Sequence, residues 1–113
     1  MIPITEQTIR ATYEYLLIFP PFNRWKMIAA EDLTFLVVAF TSEYAQYNPQ
    51  KKEFRVSHVN VGKQLTLLKK VAHEMIHVHE DALGIYTKTH DTPFFLRCRD
   101  QVCRHFDFDP FDF

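Results

Sequence analysis

The chain contains only 2 glycines, and they bracket one uninterrupted segment, residues 63–83, between Gly62 and Gly84. At ~100° per residue, Leu65, Leu68, Ala72, Met75, Ile76, His79 and Leu83 fall on a single arc of roughly 100°. The segment therefore predicts a long helix with one face on the core, ending at Gly84 on a residue that accepts positive φ. Whatever else the chain forms must cover that stripe. The same scarcity of glycine also excludes: neither GxGxxG nor GxxxxGK[ST] occurs, so no nucleotide site can be built on a glycine-rich loop.

The remaining segments supply a cover. Thr5 can cap a first helix with Ile9, Tyr13, Leu16 and Leu17 at helical spacing, and Pro20-Pro21 ends it. FNRWKMIAAED reads ambiguously, as a helical turn or two. LTFLVVAF, SEYAQYN and EFRVSHV are β-branched and aromatic runs, with Asn48 to Lys51 as a turn between the second and third, and they predict a three-stranded antiparallel meander. Thr92-Pro93 forms an N-cap and first-turn pair opening a last helix with Phe95, Cys98 and Val102 inward. At 113 residues and 47% hydrophobic, the chain suits one compact α+β domain and excludes a two-domain enzyme. The domain is expected over residues 1–104. Residues 105–113, HFDFDPFDF, form an acidic and aromatic tail, either a docking peptide or a terminus whose phenylalanines pack on the domain.

With 13 basic against 14 acidic residues the formal charge is −1, so the molecule as a whole does not attract a phosphate backbone. Local clusters (Lys51-Lys52, Lys69-Lys70, and Arg97, Arg99, Arg104) are either a phosphate-facing patch or solvated faces. Cys98 and Cys103 cannot make a disulfide framework, and a reducing compartment is the simpler reading. MIPITEQTIR lacks the pattern of a signal peptide, and the longest apolar run, Phe35 to Phe40, is far short of a bilayer span. The expectation is a cytoplasmic protein without membrane association.

Four of the 6 histidines lie between positions 73 and 90. His73-Glu74-Met75-Ile76-His77 is an HExxH motif on the long helix. Residues four apart differ by only ~40° in azimuth, so both imidazoles leave one side of the helix and can hold one ion. Zinc suits the pair because it accepts imidazole nitrogen and can keep a position open for water. Glu74 can take that water's proton as general base. The bland alternative is two surface histidines beside a glutamate. A third ligand is needed, and His90 is the leading candidate, with an exposed loop histidine as its alternative. His79 lies inside the apolar arc, ~160° from His77 on a regular helix, and reads as a buried, hydrogen-bonded residue. Glu80 and Asp81 are each either a partner for the outer nitrogen of a ligand imidazole or part of a solvated helix end. His58 and His105 read as structural or exposed.

The stretch LLKKVAHEMIHVHEDALGIYTKTHDTPFF resembles the SprT-like (Spartan/SprT) zinc metallopeptidases, a group that includes DNA–protein crosslink proteases. It has a long helix with HExxH, a short connection, then a third histidine (His90) and a Phe four positions on (Phe94). A helix ending near FNRW, a strand meander and a polar strand leading into the helix follow the family pattern upstream. The resemblance implies a zincin-like core with His73, His77 and His90 holding one zinc ion and Glu74 as catalytic base. Asp91 stands where the family usually has Gly, which sets a carboxylate beside His90. The family's zinc ribbon and separate DNA-binding segments have no counterpart here, leaving the protease core alone. Contact with DNA is implied only by the resemblance.

The expected function is accordingly a zinc metallopeptidase acting on unfolded or extended polypeptide, with DNA-associated or crosslinked protein as the substrate that the resemblance implies. Tyr86, between the motif and His90, is the candidate oxyanion stabiliser, and EFRVSHV the expected strand edge for substrate. Two alternatives stand beside it: a non-proteolytic metal-binding interaction module with the same fold, and a metal hydrolase acting on another electrophile.

Overall fold

The computed structural model describes residues 4–39, 44–58, 64–86 and 89–113. The expected strand positions Phe40, Ser42, Glu43 and Val59, the glycine Gly62 and the side chain of Leu65 lie outside the described residues.

Thr5 opens the first helix, α1 (Glu6–Leu17), with a reciprocal cap. Its hydroxyl oxygen accepts from the Thr8 amide at 3.1 Å, and Thr8 Oγ1 accepts from the Thr5 amide at 2.9 Å. Two donors that a helix start leaves unpaired are thereby satisfied. Ile9, Tyr13 and Leu16 are buried along the face read from the sequence. The ambiguous stretch after the prolines becomes two short 3-10 turns, Phe22–Arg24 and Ala30–Asp32.

Three strands follow: β1 (Thr34–Val38), β2 (Ala45–Asn48) and β3 (Glu53–Ser57). They are not an antiparallel meander. The order is β1-β3-β2, with β1 parallel to β3 and β2 antiparallel to it. The turn from Asn48 does join β2 to β3, but β1 pairs on the far side of β3, so the sheet is mixed. Burial gives the reason. Phe54, Val56 and Ser57 of β3 are each 0% exposed, which makes it the most buried of the three strands, and such a strand is best placed where neighbours cover both its edges. In this register Phe35 and Tyr47 flank Phe54, with ring centroids 5.7 and 6.4 Å away. Tyr13 of α1 meets the same row from above, 5.6 Å from Phe35 and 5.9 Å from Phe54, and its hydroxyl donates to the Ile28 carbonyl at 2.6 Å. The strand EFRVSHV is thus the centre of the sheet and not the edge expected to receive substrate.

The long helix is α2 (Gln64–Ala82). Its neighbours are α1, β2 and the last helix, α3 (Pro93–Phe106). Contact on several sides widens the buried face beyond the expected arc: Leu67, Val71 and Val78 join Ala72, Met75 and Ile76 in the core. Leu83, expected in the stripe, is 46% exposed because the helix has already ended. Gly84 turns with φ of 78°, its amide bonds to the Asp81 carbonyl at 3.0 Å, and the Ile85 amide to the Glu80 carbonyl at 2.8 Å. This pair is the Schellman termination that needs a left-handed residue. Thr92 caps α3 through the Phe95 amide at 3.1 Å, with Pro93 in the first turn, and Phe95, Cys98 and Val102 face inward.

α3 continues through Arg104 to Phe106, and Asp107 ends it with φ of 59°. Beyond it Phe108 is buried in the core and a 3-10 turn, Pro110–Asp112, follows. Phe106 and Phe113 pack against the core, whereas Phe111 is 94% exposed. The described residues form an α+β fold of three α-helices and a mixed three-stranded sheet, and none of these helices is long and apolar enough to cross a membrane.

Candidate metal centre

His73 and His77 stand one turn apart on α2, and the segment that leaves Gly84 and enters α3 at Thr92 carries His90 back over them. The three rings form a tight group, with centroids separated by 5.6 Å (His73 to His77), 4.8 Å (His73 to His90) and 5.0 Å (His77 to His90). Their Nε2 atoms converge: His90 Nε2 lies 3.0 Å from His77 Nε2 and 3.4 Å from His73 Nε2. The possible ligand atoms of all three lie within 4.8 Å of one another. A tetrahedral ion with metal–nitrogen bonds of about 2.0–2.1 Å has nitrogen–nitrogen edges of roughly 3.3–3.4 Å. The separations at His90 are close to that, and the donor set is entirely imidazole, so three histidines are near enough to hold a metal ion.

Two of the rings are fixed from behind. His77 Nδ1 donates to Glu80 Oε1 at 2.8 Å, and His73 Nδ1 donates to the main-chain oxygen of Phe113 at 3.1 Å. Carboxylate and carbonyl oxygens only accept, so both hydrogens sit on Nδ1 and each Nε2 lone pair faces the cluster. Glu80 is therefore the hydrogen-bond partner of the His77 imidazole and not a solvated helix end; its side chain is 1% exposed. Asp81 takes neither role. Its Oδ2 accepts from the Tyr47 hydroxyl at 2.6 Å and from Lys52 Nζ at 2.5 Å, which ties the β2–β3 hairpin to α2. Buried against that carboxylate, Tyr47 is held well above the usual phenol range, by desolvation first and then by the hydrogen bond to Asp81. Asp91 is exposed just before the α3 cap.

His79 is buried, as its azimuth predicts. Its Nδ1 donates to the Lys26 carbonyl at 2.7 Å, and the ring stacks on Trp25 at 4.6 Å and on Phe94 at 5.7 Å. The Phe four positions after His90 thus supports the helix through His79. The residue that meets the histidine cluster is its neighbour Phe95. This ring lies 5.4, 5.2 and 5.1 Å from the rings of His73, His77 and His90, forming a common wall. Sequence periodicity assigns Phe95 only to the inner face of α3. Phe113 was also not singled out by sequence, and nothing in the tail's composition points from it to His73. His58 and His105 are exposed and take no part in the cluster.

Glu74 is 9% exposed, and its Oε2 lies 3.8 Å from His73 Nε2, so a carboxylate stands at the edge of the ligand cluster. Both open on a cleft of about 430 Å³, bordered on one wall by Tyr44, Tyr47 and Asn48 and on the other by Ile85 and Tyr86. Tyr86 is 70% exposed at its rim. The nearby cations are engaged within the molecule: Lys52 with Asp81, Lys69 with Asp112 at 3.0 Å, and Lys70 over the Tyr44 ring at 4.6 Å.

The two motif histidines, His73 and His77, shift in opposite directions. Burial, reinforced by His77, His90 and Lys70, pushes His73 down to about 3. For His77 burial pulls downward too, but the hydrogen bond to Glu80 and the charges of Glu74 and Glu80 outweigh it and the net direction is up. In the metal-free chain His73 is neutral across the physiological range, whereas protons compete for His77 as pH falls through its raised value. Each imidazole that must shed a proton costs about tenfold in metal affinity per pH unit. Divalent-metal titrations between about pH 4 and pH 6.5 should therefore show affinity falling with acid by at least the one proton that His77 sheds. Affinity independent of pH over that range would contradict the raised value of His77.

Comparison of the chain with protein-family models, with curated proteins and with solved structures gives no match.

Proposed function

We propose that this chain is a zinc-dependent metallopeptidase with a SprT-like, zincin-like core, in which His73, His77 and His90 hold one zinc ion and Glu74 is the general base. The observation that carries this reading is the convergence of three imidazole Nε2 atoms beside the Glu74 carboxylate, in a cleft bordered by the terminal strand of the sheet. Zinc fits an all-imidazole set that leaves a fourth position open. Bound there, it would supply Lewis-acid polarisation of a scissile carbonyl and a lowered pKa for water. Glu74 takes the proton from the attacking water and returns it to the leaving amine. Glu80 and the Phe113 main-chain oxygen keep the His77 and His73 rings turned toward the ion.

The polypeptide substrate lies extended in the cleft. Among the described residues β2 ends the sheet on this side, and a chain pairing with it as an added strand passes the cluster. Tyr86 is the group assigned to the oxyanion, since the Tyr47 hydroxyl in the same cleft is committed to Asp81 and the Tyr44 ring lies under Lys70.

The test is cleavage of an unfolded polypeptide by the purified chain, before and after a chelator and again after zinc is restored. Cleavage should disappear with the chelator and return with zinc. Cleavage indifferent to the chelator would end the proposal. Zinc binding without cleavage of any polypeptide would favour the non-proteolytic metal-binding module.

A further inference from the structure

The last residues of the chain reach the metal cluster by a defined route. Phe108 is 9% exposed in the core, stacked between Phe106 at 5.7 Å and Phe113 at 6.1 Å. Asp109 then caps the Pro110–Asp112 turn, accepting from the Phe111 amide at 2.9 Å. Asp112 pairs with Lys69 of α2 at 3.0 Å. From that anchor the Phe113 ring lies 5.2 Å from the ring of His73 and lines the cleft, and its main-chain oxygen accepts from His73 Nδ1.

This contact supplies something α2 does not. His77 finds its outer partner within α2, three residues on, at Glu80. The partner of His73 comes instead from 40 residues away in the chain. Without it the imidazole is free to carry its hydrogen on Nε2, where a metal would have to bind, or to rotate away from His90. An acceptor oxygen on the outer nitrogen fixes both tautomer and ring plane and makes Nε2 a better donor.

We propose that residues 110–113 are a positioning element of the metal centre: the Phe113 main-chain oxygen, held in place by the Lys69–Asp112 pair, sets the tautomer and orientation of His73 for metal binding. The proposal rests on reading His73, His77 and His90 as the metal ligands, and it is independent of whether the chain cleaves peptides. The strap is part of the site rather than an appendage to it. Its ionic anchor is solvent-facing, with Asp112 74% exposed, so salt weakens the anchor by screening.

Zinc affinity, measured by competition with a chromophoric chelator, and the His73 ring tautomer, read from ¹⁵N chemical shifts of the imidazole, test it together. The full chain, a chain shortened by residues 110–113, and Asp112→Asn are compared. The shortened chain keeps Phe108, and a melting curve establishes that it is folded. It should bind zinc about 10–100-fold more weakly, with the His73 Nδ1–H signal lost or mixed. Asp112→Asn alters only an exposed anchor and cannot unfold the chain. It should lose affinity by a few-fold at low salt, converging on the full chain as salt is raised. If the shortened chain proves unfolded, Asp112→Asn decides. Unchanged affinity and tautomer in the folded shortened chain, or in Asp112→Asn at low salt, would overturn the positioning role and leave the metal site standing. No zinc binding by the full chain would overturn both.

Discussion

Replacing Glu74 by Gln should reduce peptide cleavage by about 100- to 10,000-fold while zinc content stays at the wild-type level. The two side chains have the same shape, and position 74 is 9% exposed, so packing around α2 is conserved. What is lost is the capacity to accept a proton next to the ligand cluster, from a carboxylate oxygen 3.8 Å from His73 Nε2. Turnover on an unfolded polypeptide, together with metal analysis of the same preparation, separates the possible results. Retained turnover would move the base to another group. Loss of zinc would make Glu74 a ligand and not a base.

Phe95→Ala is expected to have the largest effect on the fold and the site at once. Phe95 is 2% exposed, and truncating a buried phenylalanine to alanine costs about 3–5 kcal/mol through lost burial and the cavity left behind. For a domain of this size the melting temperature should fall by roughly 10–20 °C. The same ring is the wall shared by His73, His77 and His90, so its loss frees three imidazoles to reorient. A ligand that binds only the folded chain stabilises it according to its affinity, and the gain in melting temperature on adding zinc should therefore be smaller in Phe95→Ala than in the wild type. An equal gain would confine Phe95 to core packing.

Local rules made the helices legible. The Thr5 and Thr92 caps, the Gly84 termination and the i, i+4 pair His73 and His77 all depend on residues within a few positions of one another. The burial of His79 followed from azimuth alone. The sheet was another matter. Alternation along EFRVSHV sets which side chains face the core, but alternation is the same whether the neighbour is β1 or β2, parallel or antiparallel. Only packing across the whole domain puts β3 in the middle. Long-range partners were likewise hidden. Glu80 was found because it lies on the motif helix, and its neighbour Asp81, an equal candidate on spacing, is claimed by Tyr47 and Lys52 from a distant hairpin. Phe95 and Phe113 show no motif, because what they touch is decided by where α3 and the tail come to rest.

The latch between Asp81 and the hairpin has a mechanical meaning. His73, His77 and Asp81 follow one another at steps of four residues, each an advance of about 6 Å along the axis. A single rod therefore carries the ligands and grips the strand that forms the opposite wall. Through Asp81, the contacts to Tyr47 and Lys52 brace the strand side of the cleft against the helix that carries the histidines. If the chain is the peptidase proposed above, a polypeptide would have to be extended before it enters that cleft, and discrimination between folded and unfolded proteins would then rest on the substrate's own stability.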